Sequence, residues 1–282
     1  MPIPLPPWQA VAAGGVAGLS MGLTGGGGAI FAVPMLVYWL GVDPRSAVGV
    51  SLVTVATTAI VGAFERARLG QVDLRTGLLF AAAGMLAAPV GSLVGGAIPE
   101  PALLVAFAVL MLTVAHLMWH KASVPAMRLA PSDTFATTAE ANRGPTCARD
   151  PEGRLRLTTR CGVLLSAVGL VVGLLSGLFG VGGGFLIVPG LVTFASMGLT
   201  RAVGTSLLVM ALVGTAGVAG QLAEGRVIPL DVTLGFLAGS IPALFAGSIL
   251  GRRLPGPVLA KVFAVAMLGV GLFVIARTLL AD

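Results

Sequence analysis

Two glycine runs contain the residues of this chain whose types and spacing best suit chemistry. The first is GLTGGGGAIFAVP, Gly22 to Pro34, and the second is GLFGVGGGFLIVP, Gly177 to Pro189. Such runs occur as flexible hinges, as phosphate-cradling loops and as breaks in membrane helices. A phosphate loop needs a preceding strand and a following Lys and Ser/Thr, whereas Ala-Ile-Phe and Phe-Leu-Ile follow these glycines. The sequence therefore disfavours a nucleotide site.

The amino-acid composition indicates whether the surface of this protein faces water or lipid. Of its 282 residues, 56% are hydrophobic and 10% are charged, and the mean hydropathy is +1.01. A soluble domain carries roughly 25% charged residues, so most of this chain must face lipid or other apolar segments. The formal net charge of +6 is typical of basic cytoplasmic loops in a membrane protein, and no nucleic-acid partner is expected.

About ten apolar segments are separated by charge, Gly and Pro. They lack the alternation of a membrane β-barrel, so the predicted fold class is an all-α polytopic membrane protein. Residues 121–160 are polar, rich in Pro, Ser and Thr, and are predicted to be a poorly ordered linker. The predicted segments are 8–23, 29–41, 47–64, 75–96, 101–120, 161–178, 185–197, 202–223, 230–250 and 258–280.

The two halves of the chain are a repeat. An offset of 155 places Gly25 on Gly180 and Pro34 on Pro189, and it places AVGVSL (Ala47–Leu52) on AVGTSL (Ala202–Leu207). After one extra residue the offset becomes 156, and VGSLVG (Val90–Gly95) lies on AGSILG (Ala246–Gly251). A nearly constant offset with Gly and Pro in register indicates duplication. The predicted divisions are a first membrane repeat (1–120), a linker (121–160) and a second membrane repeat (161–282).

The number of segments predicts the relation of the repeats in the membrane. Because each repeat has five segments, the second enters from the opposite side, which predicts an inverted repeat. With the linker in the cytoplasm, cytoplasmic loops hold 14 of the 17 basic residues, all but Arg45, Arg226 and Arg277. This agrees with the positive-inside rule. We expect a multi-pass plasma-membrane protein with a cytoplasmic linker and both termini outside.

The segments after the glycine runs are too short to span a bilayer as straight helices. Segments 29–41 and 185–197 reach about 20 Å at 1.5 Å per residue, against about 30 Å of hydrocarbon. Each glycine run is therefore the tip of a re-entrant hairpin or the join of two tilted spans. Non-helical backbone at that depth must be buried in protein or line a cavity. The helix N-terminus that follows attracts anions, although small residues also serve close helix packing.

Hydroxyl groups recur at equivalent positions of the repeats. Ser51 and Ser206 occupy the same place in the two AVGxSL segments, with Thr205 beside the second. They are candidates to donate to an anion; alternatively, they bond back to their own helices or bridge two helices. The predicted substrate-binding residues are Gly25, Gly27, Gly28, Ser51, Gly180, Gly182, Gly183, Gly184, Thr205 and Ser206, and the predicted helix breaks are Pro34 and Pro189.

The glycine motifs and the AVGxSL segments together resemble the sulfite exporter TauE/SafE family of membrane transporters. The resemblance covers both halves outside the linker. The first half departs from the pattern, with Gly26 where the second has Val181 and Ala29 where it has Gly184. The second run, Gly180 to Gly184, is therefore expected to contact substrate more closely. The resemblance implies transport of sulfur-containing anions such as sulfite or sulfonates.

The functional expectation is a secondary transporter that moves a small anion by alternating access around the two glycine runs. The alternatives are an anion channel or uniporter and a membrane-embedded enzyme. The enzyme is disfavoured because no segment carries a cluster of titratable groups or metal ligands. No metal or cofactor is expected. The expected partners are the small anionic substrate and the lipid bilayer, and a homodimer is left open.

Overall fold

A computed structural model describes residues 7–26, 28–123, 159–180, 182–195, 197–226, 228–251, 253 and 256–280. The described residues are helical and include no strand, which confirms the all-α fold class. Six of the helices are long and apolar enough to cross a membrane: α3, α4, α5, α6, α8 and α9. The helices are α1 (Pro7–Thr24), α2 (Ala29–Pro34, continued by a π-helical turn Met35–Trp39), α3 (Pro44–Arg68), α4 (Leu74–Ala97), α5 (Glu100–Ser123), α6 (Thr159–Phe179), α7 (Gly184–Phe194), α8 (Leu199–Ala223), α9 (Leu230–Gly251) and α10 (Gly256–Leu280).

The helices match the ten predicted segments in order, with boundaries a few residues outside most of them. The predicted linker is helical at its ends, because α5 continues to Ser123 and α6 begins at Thr159. The rest of the linker, 124–158, and the predicted site residue Gly27 lie outside the described residues.

Short-range signals set the boundaries of the central helices. The side chain of Asp43 accepts a hydrogen bond from the amide of Ser46 at the start of α3, and Asp73 caps Thr76 in the same way at the start of α4. Each cap satisfies an N–H that has no partner within the helix. Both α3 and α8 end next to a left-handed glycine, Gly70 or Gly225, which lets the chain turn sharply.

The equivalent helices α3 and α8 form the centre of the fold and pack antiparallel. Gly62 faces Leu207, Ala56 faces Gly214 and Leu52 faces Gly217, so one helix ascends as the other descends. The antiparallel pair has two ends, which we name after their polar residues. The Arg66 end contains the last turn of α3 and the first turn of α8. The Arg226 end contains the first turn of α3 and the last turn of α8. The insertion of the repeats in opposite senses across a membrane remains a prediction.

The remaining long helices pair across the repeats through glycine contacts. Gly14, Gly18 and Gly22 of α1 lie against the backbone of α9 at Phe236, Ser240 and Leu244. Equivalent residues make the reciprocal contact, in which Gly169, Gly173 and Gly177 of α6 lie against Phe80, Gly84 and Ala88 of α4. A Cβ atom at any of these six glycines would collide with a backbone atom of the partner helix. Small residues therefore permit close helix packing here.

Each glycine run joins a helix to a shorter one that turns back along it. Gly183 lies beside Val172 and Ser176 of α6, and Gly190 farther along α7 lies beside Val168. Since α7 has 11 residues, it rises about 16 Å at 1.5 Å per residue, half the thickness of a hydrocarbon core. The second run therefore joins a long helix to a half-length helix.

The outward faces of the long helices carry large apolar side chains. Leu86 of α4, Val163 of α6 and Leu234 of α9 are more than half exposed in the isolated chain. In a soluble protein such a surface would be an aggregation liability. On helices of this length and hydropathy it fits contact with lipid.

Candidate functional site

The two glycine runs, described over Gly25, Gly26, Gly28 and Gly180, Gly182–Gly184, meet at the centre of the molecule. We call them the first tip and the second tip. A Cβ atom on Gly184 would lie 2.6 Å from the Cα of Gly26, and a Cβ on Gly26 would lie 2.7 Å from the Cα of Gly184. Only glycine permits two backbones to approach this closely. Gly26 departs from the pattern of the second repeat, and this contact is the physical reason that a glycine fits there.

The second tip crosses the middle of the central pair. A Cβ on Gly182 would lie 2.6 Å from Val55 and 3.5 Å from Met210. Those two residues are equivalent in the repeat, and each is the twelfth of the 25 residues in its helix. Gly182 and Gly183 have φ of +66° and +65°, so the backbone here is not helical. The chain therefore places irregular backbone and the N-terminus of α7 halfway along α3 and α8.

Two buried hydroxyl groups lie next to the second tip without a hydrogen-bond partner in the described part of the chain. Ser51 and Ser176 are fully buried, and the Oγ atom of each has no partner among the described residues. Ser51 lies on the face of α3 between Val48, which contacts Gly180, and Val55, which contacts Gly182. Ser176 lies beside Gly183. Since buried polar atoms are nearly always hydrogen-bonded, these two hydroxyls indicate a site for a polar ligand.

The first tip differs, because the hydroxyl that adjoins it, that of Ser206, has hydrogen-bond partners. The Oγ of Ser206 lies within hydrogen-bond distance of the carbonyl oxygens of Gly25 and Val203. Thr205 lies farther from the tips, where its Oγ1 accepts a hydrogen bond of 3.0 Å from the amide of Asp73. Gly25 has φ +75° and packs against Val203. Of the predicted hydroxyls, Ser206 therefore contacts a tip and Thr205 fixes the connection between α3 and α4.

The predicted proline breaks behave differently from each other. Pro34 is the last residue of α2, where the helix changes from α to π geometry. At Pro189 the prediction is wrong, because α7 continues through it to Phe194. Gly28, also predicted to bind substrate, packs against the backbone of α1 at Ala17 and Met21. The break in the second repeat comes from the glycines alone.

A cavity at the Arg226 end was not predicted from the sequence. Its volume is about 290 Å³, and it is lined by Arg45, Ser46, Gly49, Gln221, Arg226 and Ile228. Gln221 is 1% exposed, and neither its Nε2 nor its Oε1 has a hydrogen-bond partner among the described residues. Gly49 adjoins Val48, against which Gly180 packs. The cavity therefore lies next to the second tip.

Ion pairs position both arginines of the cavity. Nη2 of Arg226 lies 2.6 Å from Oε2 of Glu224, whose Oε1 accepts a hydrogen bond from Ser92. A Cβ on Gly96 would collide with the same Nη2 atom, so this glycine gives the guanidinium its space. Nε of Arg45 lies 3.5 Å from Glu100 in a half-exposed pair. Each pair engages one nitrogen, and a guanidinium has five N–H donors.

The repeat contains the signal that would have located this cavity. The offset of 155 places Arg66 on Gln221 and Gln71 on Arg226, so each end has one arginine and one glutamine in opposite order. At the Arg66 end, Nη1 of Arg66 donates a 2.9 Å hydrogen bond to Oε1 of Gln71. From the sequence, the two arginines were counted only as loop charges and the two glutamines were given no role. The cavity was therefore not predicted.

Comparisons with known proteins agree with this architecture. The sequence profile of the family "Sulfite exporter TauE/SafE" matches residues 10–274. A "Probable membrane transporter protein" of Xylella fastidiosa (strain 9a5c) is 33% identical over 95% of this chain and 94% of its own. The "Probable membrane transporter protein YdhB" of Bacillus subtilis (strain 168) is 28% identical over 79% of this chain and 83% of its own.

The "Probable membrane transporter protein YunE" of the same Bacillus strain is 25% identical, and the alignment covers 91% of each chain. No solved structure matches the chain. Among the described residues, no group of three or more His, Cys, Asp or Glu side chains is arranged to hold a metal ion. Because the family profile covers nearly the whole chain, this protein belongs to the sulfite exporter TauE/SafE family and is a multi-pass membrane transporter.

Proposed function

We propose that this protein is a secondary transporter that carries small sulfur-containing anions, such as sulfite or organic sulfonates, by alternating access. The family name supplies the substrate class. The observation that carries the proposal is the second tip, where two buried hydroxyls without a partner among the described residues adjoin non-helical backbone and a helix N-terminus. Hydroxyl and amide donors without a formal charge suit an anion that must bind and leave again.

The binding site comprises Ser51, Ser176 and the backbone from Gly182 to Gly184. The N–H groups of Leu186 and Ile187 donate to the carbonyl oxygen of Gly183, which leaves those of Gly184 and Phe185 without an intrahelical partner. The partial positive charge of a helix N-terminus favours an anion there. Gly25 and Gly180 support this site by packing against Val203 and Val48, and Ser206 supports it through its contact with the Gly25 carbonyl. Gly28 packs against α1, and Gly27 stays a predicted substrate-binding residue outside the described residues. In this proposal the linker is cytoplasmic, so the Arg226 end opens to the outside and both termini lie outside.

Uptake into proteoliposomes tests the proposal. Purified full-length protein is reconstituted, and the flux of radiolabelled sulfite, methanesulfonate and thiosulfate is measured against protein-free liposomes. We expect saturable flux that is accelerated by unlabelled anion on the opposite side, because a carrier returns faster when loaded. Saturable flux without counterflow indicates a channel and contradicts alternating access.

Substitutions at the second tip test the location of the site. Gly182→Leu, in which the new side chain collides with Val55, should abolish flux. Ser51→Ala, which changes no hydrogen bond in the described structure, should raise the KM several-fold in a normally folded protein. Wild-type kinetics in both variants would contradict the site, and no flux of any tested anion by wild-type protein would contradict the transport function.

A further inference from the structure

We propose that the cavity at the Arg226 end is a second anion-binding site, in which Arg45, Arg226 and Gln221 hold a small oxyanion before it reaches the second tip. This inference rests on the proposed function, since it names where the transported anion first binds. The cavity volume of about 290 Å³ matches the lower end of the range of small-molecule sites. The ligand class is an oxyanion of a few heavy atoms, such as sulfite or methanesulfonate.

The Gln221 amide provides the first argument for a ligand. Its side chain is 1% exposed and lines the cavity, yet neither amide atom has a partner among the described residues. A buried amide without partners is costly in a folded protein. A bound oxyanion would accept a hydrogen bond from the amide nitrogen, and a water molecule or a protonated oxyanion would donate to the oxygen.

The two guanidinium groups provide the second argument. Arg45 lines the cavity from α3 and Arg226 lines it from the segment after α8, so two different elements each contribute a cation. Each arginine is paired with a glutamate through one nitrogen. The remaining N–H donors suit the planar, bidentate binding of an oxyanion. The glutamates partly balance the two charges, which prevents the anion from binding so tightly that it cannot leave.

The opposite end of the central pair provides the third argument. There the carbonyl oxygen of Gln71 lies against Gly204, the counterpart of Gly49, and Arg66 bonds directly to Gln71. At the Arg226 end the nearest atom to a Cβ on Gly49 is a side-chain atom of Ile228, at 3.3 Å, and Oε1 of Gln221 would lie at 3.8 Å. Equivalent residues therefore contact each other at one end and enclose a cavity at the other.

Equilibrium binding to the detergent-solubilised full-length protein tests the site, with radiolabelled sulfite as the probe and methanesulfonate as a competitor. We expect Gln221→Leu to raise the Kd about fivefold and Arg226→Gln to raise it about tenfold, because hydrogen bonds to a charged ligand are lost. Gly96→Ala, which crowds the guanidinium without removing its charge, should also raise the Kd. Glu224→Gln should lower the Kd, because Arg226 loses a competing carboxylate.

Arg277→Gln is the matched control, since it removes an exposed arginine that does not line the cavity. Its Kd should equal that of the wild type. An unchanged Kd in Gln221→Leu, Gly96→Ala and Glu224→Gln overturns the second site. If flux persists in that case, the transport function stands without it. Binding that depends on the cavity residues, combined with no flux of any tested anion, contradicts the transport function and leaves the cavity an anion site.

Discussion

The two repeats place equivalent residues in different environments. Two pairs of equivalent residues differ in their hydrogen bonds. Ser206 is bonded to the carbonyl of Gly25, whereas its counterpart Ser51 has no partner among the described residues. Arg66 is bonded to Gln71, whereas the amide of the equivalent Gln221 has no such partner. Ser206 and the Arg66–Gln71 hydrogen bond lie toward the Arg66 end, whereas Ser51 and Gln221 lie toward the Arg226 end.

Ser51 and Ser206 are the same residue type, but the glycine runs beside them differ at two positions, with Gly26 in place of Val181 and Ala29 in place of Gly184. In the proposed transport cycle, the different bonding of the two serines reflects the conformation of the molecule as well as these sequence differences. A carrier with a pseudo-symmetric structure has two such states, in which opposite ends are closed. Under the proposed alternating access, the structure corresponds to the state that is closed at the Arg66 end and has its cavity at the open end.

The largest effect is expected where the two tips meet. Gly184→Ala places a methyl group against the sulfur of Met210 and 2.6 Å from Gly26, so it should abolish transport by separating the tips. Gly190→Ala in the same helix is the matched control, because the nearest atom to its Cβ is 3.6 Å away. Flux in proteoliposomes measures both variants. Transport by Gly184→Ala at the rate of Gly190→Ala would show that the tips need no direct contact.

The next largest effect separates the two equivalent serines. Ser206→Ala removes a donor to a buried carbonyl and should lower the free energy of unfolding by about 1–2 kcal/mol, which thermal unfolding in detergent measures. Ser51→Ala should leave thermal stability unchanged and weaken sulfite binding instead. Equal losses of stability in the two variants would mean that Ser51 has a structural role like that of Ser206.

The smallest effect concerns the closure of each end. The amide of Asp73 donates to Thr205 at the Arg66 end. At the Arg226 end the counterpart of Thr205 is Val50, and the counterpart of Asp73 at the offset of 156 is Pro229, which has no amide N–H. Thr205→Val should therefore disfavour closure of the Arg66 end by about 1 kcal/mol, or about fivefold. The measurement is the rate at which a membrane-impermeant thiol reagent modifies an Arg201→Cys protein.

Val50→Thr is the matched control for this experiment. It should leave the modification of a Ser46→Cys protein at the Arg226 end unchanged, because Pro229 offers no amide N–H to the new hydroxyl. An unchanged rate for Thr205→Val at the Arg66 end would show that the hydroxyl contact of Thr205 does not control closure.

The sequence alone predicts the positions of the helices well, because runs of apolar residues bounded by charge, Gly and Pro determine where they begin and end. Segment 29–41 was predicted to be short, and it is a six-residue helix with a π-helical turn. The serines at positions 51 and 206 were identified by repeat position, but only packing decides which one has a partner. The cavity was not predicted because Gln221 is an ordinary polar residue until burial removes its water. Pro189 was misjudged because a proline removes one hydrogen bond, and a helix held by tight packing can continue through it.

The glycine contacts between α1 and α9 and between α4 and α6 have a consequence for folding. Every one of those contacts joins a helix of the first half to a helix of the second. A five-helix half alone would expose two glycine-lined grooves and one side of its central helix, with nothing to cover them. The chain is in effect a fused dimer of half-chains, and an ancestor of single length would have needed a second copy of itself to fold.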